Sequence, residues 1–126
     1  MVWYNKFRIK NILKRAQKVA TSIEASGNCF EVAANYVVEN SILRGNKDLF
    51  LVHGEVTGQG PISGIKHWHA WVEDGDKVID LSNGKDIAIS KSLYYAIGKI
   101  SDTKQYNPDQ TRKLLLKYKH FGPWKS

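Results

Sequence analysis

Phe7, Ile12, Leu13, Ala16, Val19, Ala20 and Ile23 recur mostly at steps of three and four residues, with lysines and arginines between them. That spacing predicts an amphipathic helix over residues 5–25. Ser26 and Gly27 interrupt the pattern, and a second helix is expected to start with Asn28 as its cap. Glu31 is placed to reach back and complete a capping box, while Phe30, Ala33, Ala34, Val37 and Val38 face the core. Cys29 then falls in the first helical turn. After Gly45 and Asn46, the segment LFLVHGEV (49–56) has the apolar and β-branched density of a strand, and TGQGPISG (57–64) is a Gly-rich loop able to border a site. HWHAWVE (67–73) and KVIDLS (77–82) read as two strands joined at Asp74-Gly75. Two more helices are expected, near 90–97 and over 108–119. The second has clear punctuation: Asn107 as cap, Pro108 at its first position, Gln110 for a capping box, and Gly122-Pro123 beyond its end.

The hairpin permits a geometric deduction, because residues equidistant from a two-residue turn lie opposite one another. With Asp74 and Gly75 in the turn, Glu73 faces Asp76, Trp71 faces Val78, and His69 faces Asp80, with β-carbons about 5 Å apart. The other side of the ribbon carries Trp68, Ala70, Val72, Ile79 and Leu81, an apolar set that suits the core. A three-residue turn over 74–76 would instead place Asp80 opposite Ala70.

These positions suggest chemistry. The unpaired N–H groups and the dipole of a helix N-terminus favour an anion, so a thiol at Cys29 is expected to ionise more readily than usual. A nearby imidazolium on His69 lowers its pKa further, and Asp80 holds that ring in one tautomer. Cys29, His69 and Asp80 are therefore the candidate nucleophile, base and orienter. A lone cysteine is ordinarily a buried inert residue, and a His-Asp pair on adjacent strands is often purely structural. Metal binding is the competing site reading: His67 and His69 share a face of their strand, and His53 and Asp80 offer further ligands, with His120 far away in the last helix. Trp3, Trp68, Trp71 and Trp124 read as packing residues. Trp71, on the His69 face, is equally a candidate for lining a substrate cleft, as is His67.

At 126 residues and 42% hydrophobic, the chain fits a single domain over 1–126. No stretch approaches the roughly 20 apolar residues of a membrane span, and no secretory leader is visible. A cytoplasmic location is expected, which agrees with one cysteine and no internal disulfide. The net charge of +7 is unevenly spread: residues 1–20 hold six bases and 112–126 five, both without an acid, leaving the middle near −4. Basic ends of this kind serve either as ordinary solvated helix faces or as a surface for nucleic acid or an acidic protein.

GNC at 27–29, HAWVE at 69–73 and VIDLS at 78–82 together resemble the core of the transglutaminase-like branch of papain-like thiol enzymes. HAWVE is also similar to small peptidases that remove leaders from lasso-peptide precursors. The match covers about residues 28–82. The resemblance implies a papain-like α+β fold in which the cysteine-bearing helix packs on a small antiparallel β-sheet, with flanking helices. It also implies Cys29, His69 and Asp80 as a catalytic triad, no cofactor, and a protein or peptide substrate cleaved, deamidated or transferred through a thioester. Leu81 stands where many members have proline, and candidates for an oxyanion donor are Asn28, Gln17 and Gln59. The alternative is an inactive papain-like module that binds nucleic acid or an acidic protein through its basic terminal helices.

Overall fold

The structure, a computed structural model, describes residues 28–58, 64–82 and 86–124. The helix expected over 5–25, with Trp3 and Gln17, lies outside the described residues, as does Gln59.

Helix α1 (Cys29–Leu43) buries Cys29, Ala33, Ala34 and Val37, which form one stripe along it. Its start differs from expectation in one respect. Asn28 has φ −105° and ψ 12°, not the extended backbone that turns a capping side chain toward the first-turn N–H groups, and it makes no side-chain cap bond. The expected box with Glu31 therefore does not form, although Glu31 remains in the first turn, where its charge complements the helix dipole.

Strands β1 (Leu49–Thr57), β2 (Lys66–Asp74), β3 (Lys77–Asp80), β4 (Ile87–Ser90) and β5 (Ser101–Tyr106) form one antiparallel sheet in the order β4-β3-β2-β1-β5. With helices α2 (Lys91–Gly98) and α3 (Pro108–Tyr118), the described residues form a small α+β domain. Both later helices are capped locally. Ser90 Oγ accepts from the Leu93 N–H at α2, and Asn107 and Gln110 exchange both bonds of a capping box at α3, with Pro108 in its first turn.

The β2-β3 turn is Gly75-Asp76, not Asp74-Gly75, so Asp74 pairs with Lys77, Glu73 with Val78 and Val72 with Ile79. Gly75 has φ 59°, which supplies the left-handed conformation at the first turn position. Moving the turn by one residue shifts each pairing by two. The expected pairs His69 with Asp80, Trp71 with Val78 and Glu73 with Asp76 are therefore absent. Because side chains alternate with period two, every residue nevertheless keeps its expected side.

Both sides of the sheet are covered, whereas one core side was expected. On one side α1 and α3 pack over Leu49, Leu51, Ala70, Val72 and Ile79. On the other, α2 and its buried Tyr94 cover Val52, Val56, Trp71, Val78, Ile87 and Ile89. Trp68 departs from the expected core set and is 38% exposed. It pairs with Glu55 and is not among the residues packed against α1 and α3. Among the described residues no helix is long and apolar enough to cross a membrane.

Candidate active site

Cys29 is the first residue of α1, and His69 lies on β2 where the ladder with β3 has already ended, since that ladder covers only Val72–Asp74. At this open stretch of strand edge, a group arriving on the α1 side can meet a side chain projecting from the opposite side. Cys29 lies close enough to the His69 imidazole and the Ala70 N–H for both to lower its pKa. Cys29 is 3% exposed and His69 is fully buried.

Nε2 of His69 lies 3.2 Å from Oδ2 of Asp80. Nδ1 makes no hydrogen bond among the described residues, so it is the ring nitrogen that Asp80 leaves unengaged. Asp80 ends β3, diagonal to His69 rather than directly opposite, and a diagonal pair is within reach for a side chain as long as histidine. Four donors converge on its carboxylate. Oδ2 accepts from His69 and from the Tyr94 hydroxyl at 2.8 Å, while Oδ1 accepts from the Ser82 N–H at 3.0 Å and the Ser82 hydroxyl at 2.5 Å. A group surrounded by donors is stable only as an acceptor, the ionised form.

The three protonation equilibria follow from this packing. Burial pushes the Asp80 carboxyl up, but the His69 bond and charge and the two Ser82 bonds outweigh it and hold the group below its ordinary range. Burial pushes His69 down, yet the hydrogen bonds and charges of Asp80 and Cys29 raise it to about 9. Burial raises the Cys29 thiol, while His69 and the Ala70 N–H lower it, with a net shift downward. The arrangement favours a thiolate beside an imidazolium, the form in which a cysteine attacks a carbonyl.

The other sequence candidates fall differently. Asn28 is exposed next to Cys29, and it is the oxyanion candidate that lies among the described residues. His67 is half-buried, its ring 6.5 Å from that of His69. Of the two readings of Trp71, packing holds and the cleft does not: it is fully buried against Tyr94, because α2 covers that side of the sheet. The alternative metal set does not assemble. His53 pairs with Ala70, and so projects to the opposite side from His69, into Phe30, Tyr106 and Trp124. Among the described residues no group of three or more His, Cys, Asp or Glu is placed to hold a metal ion. Two surface hollows, one beside Arg112 and Ser41 and one beside Lys91 and Tyr95, contain no member of the Cys29, His69 and Asp80 set.

Sequence reasoning missed Ser82 and Tyr94. Ser82 had a readable signal, since an aspartate commonly accepts from the N–H two residues later. Tyr94 had none, because its bond to Asp80 depends on how α2 docks. No family model, curated protein or solved structure matches the chain.

Proposed function

We propose that the protein is a thiol-dependent hydrolase, a cysteine peptidase or amidase of papain-like, transglutaminase-like architecture acting on a protein or peptide amide. One observation carries this reading: a buried imidazole bonded through Nε2 to Asp80 lies beside the thiol of the first residue of a helix. A merely structural cysteine in a core has no reason to share an ionised His-Asp pair.

The chemistry follows from the geometry. The Cys29 thiolate attacks the amide carbon, and the oxyanion forms beside the first-turn N–H groups of α1, which have no partner within the helix. His69 transfers its Nδ1 proton to the departing nitrogen, so the C–N bond breaks and a thioester remains on Cys29. Neutral His69 then takes a proton from water, or from an amine, which attacks the thioester and releases the thiol. Water gives hydrolysis and an amine gives acyl transfer. Asp80 keeps the ring oriented and offsets its charge throughout.

Carbamidomethylation by iodoacetamide tests the reading. The folded protein should label at Cys29 with a midpoint below the ordinary thiol value of 9.0. Incubation with activated acyl esters should give a Cys29 adduct that hydroxylamine removes. Labelling that requires denaturant would show an inert core thiol and sink the proposal.

A further inference from the structure

The imidazole of His69 is supported on one side by a flat surface with its own anchor. The Trp71 indole lies 6.1 Å from it, centroid to centroid, with the planes 29° apart. Trp71 is fully buried and is itself held: its Nε1–H donates to Oε2 of Glu73 at 3.0 Å. Glu73 is a buried carboxylate that takes no part in the triad, and four groups from three elements converge on it. Beside Trp71, the Tyr95 hydroxyl donates to Oε2 at 2.5 Å, Gln105 Nε2 to Oε1 at 3.2 Å, and Lys91 Nζ lies 3.2 Å from Oε1. The indole has further contacts with the rings of Tyr94 and Tyr95. On the β1 side, Gly54 leaves room for it: a β-carbon there would sit 2.5 Å from the indole Cη2.

We propose that Trp71 is a positioning residue for the reaction, a stacking plate that fixes the ring plane of His69 and favours its imidazolium, with Glu73 as the anchor fixing the plate. A histidine bonded only through Nε2 can still swing about that bond, and a swing moves Nδ1 away from the sulfur. The stack opposes the swing. The negative face of an indole also attracts a cation lying over it, most strongly where water is excluded. Burying a carboxylate is costly without partners, and Glu73 has a full set, two of them from α2 and one from β5. The network thus ties the orientation of His69 to the docking of α2 and of the edge strand β5.

The proposal rests on the assignment of Cys29 and His69 as a catalytic pair, and two separate readouts keep the two claims distinguishable. The His69 imidazole midpoint is followed by NMR, and Cys29 reactivity by iodoacetamide as a function of pH. Trp71→Leu should lower the His69 midpoint by about one pH unit, a tenfold change worth about 1.4 kcal/mol, and slow labelling at neutral pH by a similar factor. Tyr95→Phe removes a single hydroxyl from Glu73 and leaves the core filled. It should shift both readouts the same way by about threefold, with Trp71→Phe intermediate. Should Trp71→Leu fail to fold, Tyr95→Phe and Trp71→Phe decide the matter. Folded variants whose His69 midpoint and labelling profile match the parent protein overturn the proposal. A parent protein that resists labelling, but whose His69 midpoint still falls in the variants, refutes the catalytic assignment and leaves the stacking role standing.

Discussion

Asp80 is the residue on which the site turns, because it is an acceptor for four donors at once. Asp80→Asn keeps the shape but turns an NH₂ group toward a donor, whichever way the amide is oriented. The variant should lose about 2 to 3 kcal/mol at pH 7, as expected when a buried charged acceptor is removed and its donors are left unmatched. The sign of the pH dependence is fixed by the lowered Asp80 value. Its contribution is fully present above the ordinary 3.8 and is lost as the pH falls through the folded value. Urea unfolding should therefore show a gap between the two proteins at neutral pH that narrows once the pH falls below 3.8. His69 loses the partner that raises it, so on the proposed function turnover at neutral pH should fall by about 10²-fold. Retention of both stability and turnover would mean that Asp80 neither anchors nor charges the ring.

At the scale of elements, β1 and β2 bring the site together through a single small residue. Gly54 pairs with His69, and the Trp71 ring occupies the space where its side chain would be. Gly54→Ala must push the indole aside, at a cost of about 1 to 3 kcal/mol, and the displaced plate should also slow Cys29 labelling several-fold. Calorimetry together with the labelling rate checks this; a drop in stability with labelling unchanged would separate core packing from the site. The sequence made this part of the fold partly legible. The side shared by His69 and Asp80 depends only on alternation, so it survived a misplaced turn. The turn itself was ambiguous, because Asp74, Gly75 and Asp76 offer the glycine to either of two adjacent turns. Helix α3 was readable from its own caps, which are local. Strand β5, with the sequence SDTKQY, was not, since its side chains are largely exposed and the backbone ladder with β1 holds it regardless of their identity. Strand β4 escaped notice because four residues of alternating burial are too short a pattern to stand out. The convergence on Glu73 was equally invisible, as Lys91, Tyr95 and Gln105 meet it only after α2 and β5 dock.

At the scale of the whole molecule, a histidine outside the Cys29, His69 and Asp80 set joins several of the described segments on the α1 side. His53 is 1% exposed, its ring lies about 5 Å from those of Phe30, Tyr106 and Trp124, and its Nε2 makes no hydrogen bond among the described residues. It thereby joins α1, β5 and the segment after α3. Burial, with a contribution from the Lys104 charge, pushes it from the ordinary 6.5 down to about 4. Between those values the unfolded chain binds the proton and the folded chain does not, so stability falls as the pH is lowered through that window, by about 3 kcal/mol in all. His69 acts with the opposite sign. Raised to about 9, it contributes stability that is complete below 6.5 and is lost as the pH rises through 9. The two histidines therefore act with opposite signs, the acid limb owed to His53 and part of the alkaline limb to His69, where the lowered Cys29 thiol opposes it. Urea titrations from pH 4 to 10 should show both limbs in the parent protein. His53→Leu, which fills the same apolar space without a titrating group, should flatten the acid limb between pH 7 and 4 to within about 1 kcal/mol while leaving the alkaline limb in place. If the variant instead loses stability in parallel with the parent across that range, the acid sensitivity arises elsewhere, and His53 is simply one ring among four.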